Sequence, residues 1–394
     1  IMAFLLLIGG VFGIIQKSKA IDAGLAGLVD RIGHYPPLLL MILFVLFSLG
    51  GAVFGMGEEA IAFAVLLVPF LVRLGYPAVI GVLITYCATQ VGFASSWMNP
   101  FSVVIAQGIA GLPPLSGAGY RLVLWFSMTV VAGLWVLWLA ERYRRAPETS
   151  PCPAADAWFI EHGRAVEGRR WTGADMAILI SVVLTMIWVI WGVIVQKYYL
   201  PEIAGQFFTL GLVVGIIARF FSPHRMDSNE LADAFVEGAS NLLPAALVVA
   251  MAKGMVLLLG GSDPTQASIM NTLLYYSASV VSGLPEMLSA WLMLVVQSCL
   301  NLLVTSGSGQ AALTMPIMAP LGDLLGVTRQ TSVLAFQLGD GLTNLIAPTS
   351  AALMGALGVA RVDWLDWVRV VWPLLLLLFC LSSAFVLFAA WTGF

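Results

Sequence analysis

The chain has 394 residues, 60% of them hydrophobic and 10% charged, with a net charge of −3. A soluble domain is nearer half apolar and a quarter charged, so this composition describes a polytopic membrane protein, and the small net charge gives no reason to expect nucleic acid. Four scattered cysteines and three loop histidines offer neither a disulfide framework nor a zinc site.

In chain order, residues 1–16 form an apolar span with no cleavable leader and no initiator methionine, from which we expect a missing upstream part. Residues 18–33 are amphipathic and read as an arm along the interface. Two apolar arms follow, 38–54 and 60–74, joined by Gly55, Met56, Gly57, Glu58 and Glu59. They are either two tight crossings or a re-entrant hairpin whose tip stops near the midplane. Residues 77–110 are too long for one plain helix and are interrupted at 94–102 by polar residues and Pro100. Such breaks survive in lipid only where protein or water satisfies the freed backbone. A span at 120–140 leads into a linker, 146–173, rich in proline and mixed charge.

Spans at 176–196, 206–221 and 242–260 come next, with a wet helical face at 228–239 carrying Glu230, Asp233 and Glu237. Each crossing needs about 20 apolar residues to match a hydrocarbon layer about 30 Å thick. A second interfacial arm, 266–282, precedes two more apolar arms, 287–304 and 311–325, joined by Ser306, Gly307, Ser308, Gly309 and Gln310. A second interrupted segment, 328–357, breaks at 339–350, and 371–394 is the last span.

The second block repeats the first. Gln310, Pro320 and Gly326 stand 251 residues after Glu59, Pro69 and Gly75, and Pro348 and Ser350 stand 248 after Pro100 and Ser102. Duplicated, interrupted hydrophobic segments are the sequence pointer to a secondary transporter's binding site. Charge then orients the blocks. With Arg142, Arg144, Arg145, Arg164, Arg169 and Arg170 cytoplasmic and both hairpins re-entrant, 14 of 18 basic residues fall on one side. Arg121, Lys197 and Arg329 oppose the bias, and Lys253 lies inside a span. The first hairpin then opens to the cytoplasm and the second to the outside, so the repeats are inverted.

Three carboxylates stand where lipid tolerates them least: Glu58 and Glu59 at the first turn and Asp340 in the second break. An ion near the bilayer centre costs about 2.5–3.5 kcal/mol on insertion scales, so such residues face a cavity or a partner. Glu58 and Glu59 have a plainer reading as caps of the following helix, although adjacent acids repel. Asp340 has one as a carboxylate bonded to freed amides. Around them lie Thr89, Gln90, Ser95, Ser96, Asn99 and Ser102 in the first half. The second half offers Ser306, Ser308, Gln310, Gln337, Thr343, Asn344, Thr349 and Ser350. Taken singly, each Ser or Thr is more often helix–helix glue. Half-helix N-termini attract anions, whereas unwound carbonyls and helix C-termini coordinate Na⁺. No Gly-Lys-Ser/Thr phosphate loop follows any glycine-rich turn, so ATP-driven transport is unsupported. A site with three acids and no evident base favours a cationic or zwitterionic substrate over a bare dicarboxylate, or else proton-carrying carboxylates.

Three stretches carry a resemblance: Gly50 to Ala60 (GGAVFGMGEEA), Gly92 to Phe101 (GFASSWMNPF) and Thr305 to Pro316 (TSGSGQAALTMP). They resemble the YfcC-like group of the anaerobic four-carbon-dicarboxylate carrier family, within the ion transporter superfamily, and the likeness spans essentially the whole chain. Members usually carry a further N-terminal span and an extracytoplasmic segment. The resemblance implies an all-α polytopic fold with two inverted repeats, re-entrant hairpins and broken helices. It also implies a homodimer, elevator-type movement, and a basic amino acid antiporter of the bacterial cytoplasmic (inner) membrane. Substrate and coupling ion are expected at Glu58, Glu59, Ser95, Ser96, Asn99, Ser306, Ser308, Gln310, Asp340, Asn344, Thr349 and Ser350.

The expected organisation has five parts. These are a scaffold helix and arm at 1–34, and a first transport half at 35–117 (hairpin 37–75, broken helix 77–110). Scaffold helices at 118–284 contain a cytoplasmic linker at 141–175. A second transport half spans 285–360 (hairpin 285–326, broken helix 328–357), and a last helix spans 361–394. The expected partners are a small-molecule substrate, the lipid bilayer and a second copy of the chain. No cofactor is expected, with Na⁺ or H⁺ as coupling ion. The expected function is ion-coupled exchange of a small charged metabolite, a basic amino acid such as arginine or ornithine ahead of a dicarboxylate. A passive channel is the less favoured alternative. An intramembrane enzyme would need a nucleophile–base or metal pair that the spans lack.

Overall fold

The computed structural model describes residues 2–21, 23–24, 27, 35–57, 59–162, 172–196, 198, 200–223, 225–258, 267–269, 272, 275–276 and 284–394. Glu58, Arg31, Arg164, Arg169, Arg170 and most of both expected interfacial arms lie outside the described residues. The described residues are helical, with no strand among them. In chain order the helices are α1 (Met2–Lys17), α2 (Pro36–Phe54), α3 (Glu59–Arg73), α4 (Ala78–Ala94), α5 (Val103–Ile109), α6 (Ala118–Arg145) and α7 (Pro153–His162). There follow α8 (Gly173–Val195), α9 (Leu200–Phe220), α10 (Ser228–Leu258), α11 (Glu286–Asn301), α12 (Gly307–Leu324), α13 (Arg329–Thr343), α14 (Ala351–Ala360) and α15 (Trp364–Thr392).

Contacts divide the chain into two compact units, 1–35 with 166–251 and 36–165 with 252–394. In the first, α1 and α8 pack on α9, with the Phe12 and Phe207 rings edge to face at 5.9 Å. Thr172 caps α8 in a reciprocal box with Asp175, which satisfies two amides at the helix start. α10 runs unbroken for 31 residues, whereas its sequence reads as a wet face and a separate span. The two readings merge because a change from polar to apolar surface interrupts no backbone hydrogen bond.

The second unit holds both hairpins, α2–α3 and α11–α12, and both broken helices, α4–α5 and α13–α14. Helix α6, expected among the scaffold helices of 118–284, packs here against α2, α4 and α15. α4 contains a π-helical turn at Leu83–Cys87, one residue wider per turn than its surroundings. Each hairpin's second arm stops in the same way. Gly75 (φ +86°) and Gly326 (φ +79°) are left-handed, and Tyr76 N and Val327 N donate back to Leu71 O and Gly322 O. This Schellman cap favours glycine, and it gives a conformational reason for the Leu-Gly pairs repeated 251 residues apart. Ser48 and Gly92 bring α2 and α4 into backbone contact: a Cβ on Gly92 would stand 1.8 Å from the Ser48 carbonyl oxygen.

The linker helix α7 clasps the α3–α4 turn. Asp156 accepts the Ala78 amide at 2.6 Å, and the Arg361 guanidinium lies 3.7 Å above the Trp158 ring. Burial and the nearby Asp156 charge push the Cys152 thiol up to about 12.

Among the described residues, four helices are long and apolar enough to cross a membrane: α2, α6, α9 from Pro201, and α15. Their outward faces expose large apolar side chains such as Phe126, Leu134 and Trp138 on α6 and Leu376 and Leu377 on α15. A lipid phase accommodates such faces and water does not.

Candidate functional site

The two broken helices cross at Gly341, where a Cβ would stand 2.4 Å from the Ala94 Cα. The crossing sets break 1 (residues 95–102) beside break 2 (residues 344–350). Gln337 donates its amide to the Ser96 carbonyl at 2.6 Å, and the Tyr86 hydroxyl donates to the Asn344 carbonyl at 2.8 Å.

Break 1 is closed by its own side chains. Ser95 donates to Val91 O at 2.6 Å. Ser96 Oγ accepts from the amides of Met98 (3.0 Å) and Asn99 (2.7 Å) and donates to Ala52 O. Asn99 Oδ1 accepts from the Phe101 amide at 2.8 Å. These residues, all expected in the site, hold the loop's shape and pin it to α2. Ser102 and Trp97 differ: both are buried, and neither the Ser102 hydroxyl nor the Trp97 indole N–H has a partner.

Break 2 is held from outside. The indoles of Trp367 and Trp364 donate to the carbonyls of Leu345 (2.7 Å) and Ile346 (3.0 Å). Asn301, near the end of α11, offers its amide nitrogen to Asp340 O (2.8 Å), Thr343 Oγ1 (2.7 Å) and Asn344 Oδ1 (2.9 Å). Ser350 caps α14 by accepting the Leu353 amide. Exposed Thr349 donates to Leu302 O while its carbonyl accepts from Thr305, which ties the break to the second hairpin turn.

Both tips reach these breaks. At tip 1 the Gly57 Cβ position is 3.9 Å from Gln90 Nε2, and Gln90 Oε1 faces the Asn344 amide at 3.4 Å. Glu59, the first residue of α3, is exposed there and accepts the Gly57 amide at 3.1 Å, a bond that closes the turn ahead of the helix. At tip 2 Ser306 caps α12 by accepting from Gly309, Ser308 is half-buried, and Gln310 donates to both Gln297 oxygens. A Cβ on Gly307 would stand 2.9 Å from Asp340 Oδ2, 3.1 Å from the Phe93 ring and 3.4 Å from Phe101 O. The Asp340 carboxylate therefore lies against the amino end of α12, whose free amides and dipole favour negative charge.

Asp340, expected in the second break, stands instead in the last turn of α13, which stays helical to Thr343; it has no exposed surface, and neither of its oxygens has a hydrogen-bond partner. The Asn344 side chain, one turn on, is near enough to stabilise the carboxylate, although its geometry falls short of a full hydrogen bond. Asn301 Oδ1 and Gln310 Oε1 are likewise buried and unpartnered. Apart from the amino end of α12, the unpartnered side-chain atoms of this region are all acceptors, which suits a cation or a protonated group.

Four contributors escape a reading of the sequence for acids and hydroxyls. Asn301 and Gln297 had a signal, being polar and four apart on an otherwise apolar arm. Tyr86 had none, because its position depends on the π turn. Arg121 opposed the charge bias, and the structure buries it completely. It donates to Gln337 Oε1 (3.1 Å), Ser116 O (3.0 Å) and Gln330 Oε1 (3.0 Å), and its guanidinium lies 5.4 Å from the Phe394 ring centre. The core of this unit therefore contains a buried base as well as an acid, although the hydrogen bonds of Arg121 reach none of the expected site residues.

The architecture and its polar breaks are those of carriers, and residues 1–391 match the family model described as C4-dicarboxylate anaerobic carrier, DcuC. The chain belongs to this family. Among its relatives is the Escherichia coli (strain K12) protein named "Putative basic amino acid antiporter YfcC", 50% identical over 394 residues, which covers 100% of this chain and 78% of that one. A Haemophilus influenzae protein is 32% identical over 395 residues, covering 97% of this chain and 74% of its own length. Among solved structures, the Alcanivorax borkumensis YdaH transporter matches with a TM-score of 0.72 at 16% identity, covering 99% of this chain and 85% of that one. Neisseria gonorrhoeae MtrF, described as illuminating a class of antimetabolite efflux pumps, matches at 0.66 and 18% identity, covering 98% and 80%. At such identities the likeness is one of fold. The DcuC-family chain is thus a membrane protein of a transporter family, with the helical architecture of YdaH and MtrF.

Proposed function

We propose that this DcuC-family protein is an ion-coupled exchanger that carries a small cationic or zwitterionic metabolite, a basic amino acid such as arginine or ornithine, across the bacterial inner membrane. The observation that carries this reading is a buried, unpartnered Asp340 set against tip 2 and beside break 1, with tip 1 linked to break 2 through Gln90 and Asn344. A static channel wall has no need of such an arrangement, whereas a carrier binding a desolvated ion does. The name of the Escherichia coli relative adds support for a basic amino acid.

In this reading the duplicated halves are inverted repeats, multi-pass in the membrane, and the hairpins are re-entrant. The approach of both tips to mid-helix breaks supports that geometry. The transport halves, 35–117 and 285–360, are the moving body of an elevator, the helices of 118–284 belong to the scaffold, and two copies associate through scaffold helices. H⁺ or Na⁺ is the coupling ion, with Asp340 as its carrier. Asp340, Asn344, Gln310, Ser306 and Ser308 line the route from tip 2; Glu58, Glu59, Ser95, Ser96, Asn99, Thr349 and Ser350 complete the site as tip or as the frame of the breaks. A second reading, coupled carriage of a four-carbon dicarboxylate, is favoured by the family description.

Counterflow in proteoliposomes decides between them. Labelled arginine should accumulate against unlabelled arginine or ornithine inside, and labelled succinate should not. Succinate exchange without arginine exchange would replace the first reading by the second. Saturable exchange of neither, with ohmic conductance, would point to a channel.

A further inference from the structure

We infer that break 1 and the acceptor cluster of α11, α12 and α13 recognise opposite ends of one substrate, an α-amino acid with a cationic group: its carboxylate at the Ser102 hydroxyl of break 1, a cationic nitrogen at the oxygens of Asp340, Asn301 and Gln310. The inference rests on the exchanger reading above and narrows it.

Unpartnered buried atoms carry the argument. In break 1 they are the Ser102 hydroxyl and the Trp97 indole N–H, both able to donate. Around tip 2 they are both Asp340 oxygens, Asn301 Oδ1 and Gln310 Oε1, all acceptors. Leaving such groups buried and unpaired costs stability, so each set has a counterpart of opposite character to meet. The two sets are neighbours. Phe101 O, adjacent to Ser102, and Asp340 Oδ2 flank the same glycine, 3.4 and 2.9 Å from the Cβ position on Gly307.

Fixed charge has the same polarity. Gln337 and Asp340 are three residues apart on α13, on one face of the helix. Gln337 receives the buried Arg121 guanidinium through Oε1 and passes its own N–H to the Ser96 carbonyl. The side-chain charges along this face run from Arg121, held by Gln337 beside break 1, to the Asp340 carboxylate. An amino acid fits that gradient in one orientation. A dicarboxylate would set its second anion against Asp340, and a diamine would bring no acceptor to the Trp97 N–H or to the proton of the Ser102 hydroxyl.

The test is thermal unfolding of the purified full chain with L-arginine, agmatine (the same guanidinium without the carboxylate) and succinate. L-Arginine should raise Tm at concentrations at least tenfold below those agmatine needs, and succinate should leave Tm unchanged. Ser102→Ala should bring arginine and agmatine to within threefold of each other, Ser102→Thr should keep the preference, and Asp340→Asn should remove both shifts. Equal potency of arginine and agmatine overturns two-ended recognition while leaving carriage of a cation intact. A preference for arginine that survives Ser102→Ala overturns the carboxylate assignment. A shift with succinate, or with none of the three on a cooperatively unfolding protein, overturns this inference and the substrate reading beneath it.

Discussion

In break 1, Ser96 and Asn99 bond the amides of their own loop, and α2 comes so close that the Ser48 carbonyl leaves no room for a Cβ on Gly92. In break 2, the loop carbonyls are taken by Tyr86, Trp364 and Trp367 from other helices, while Asp340 in the α13 turn before it and the facing amides of hairpin 2 keep oxygens free. The difference teaches that similar interruptions serve different ends. A loop whose polar side chains complete its own turn is a rigid frame. A loop whose backbone is satisfied by neighbours can direct its polar side chains elsewhere. Duplication supplies two breaks, and the residues then divide the labour between them.

The comparison is broken most directly at Asp340. Asp340→Asn should lower counterflow by roughly 30-fold or more, as loss of a desolvated charge partner costs about 2–5 kcal/mol of binding. Its melting temperature should not fall, because an unpartnered buried charge stabilises nothing. A variant that melts lower and transports normally would make Asp340 a structural residue. Gly92→Ala tests the frame: the clash with Ser48 should cost about 3 kcal/mol or more, seen as a large drop in Tm or failure to accumulate folded protein. Ser96→Ala strands two loop amides and should cost about 1–3 kcal/mol in denaturant unfolding, with the arginine concentration for half-maximal exchange raised only as far as the loop loosens.

Glu59→Gln sharpens the contrast between tips. As an exposed residue closing the turn ahead of α3, it should change stability by less than about 0.5 kcal/mol and counterflow far less than Asp340→Asn. A loss equal to that of Asp340→Asn would bring tip 1 into the binding chemistry. The smallest effect is a labelling one. With its thiol raised to about 12 by burial and Asp156, Cys152 has almost no thiolate at pH 8 and should react slowly with maleimide. Asp156→Ala, which frees the α3–α4 turn from the clasp, should speed that reaction.

Much of this molecule was legible in the chain. Two apolar arms with a glycine-rich turn, a Leu-Gly stop and an interrupted helix can be read twice, because turns, left-handed caps and prolines impose local rules. Asp340 was legible too, since a carboxylate in an apolar run demands an explanation. Less legible was the role of Ser96 and Asn99, which look the same in sequence whether they bind a ligand or close a loop. Arg121 read as a surface charge against the bias, and only the packing of α6 on α4 and its bonds to α13 reveal it as a buried base. Tyr86 gave no sign at all, because a π turn shifts the facing of a helix by an amount that no polarity pattern records.

The sequence by itself determined the membrane class, the family, the paired hairpins and the location of both breaks, since these follow from hydropathy and backbone chemistry within short stretches of chain. Tertiary structure alone decided which polar groups are satisfied and which remain unpartnered. Hydrogen bonding between groups some 250 residues apart, such as Gln337 with Ser96 or Asn344 with Gln90, depends on how helices cross, and crossing is fixed by packing that no local pattern encodes.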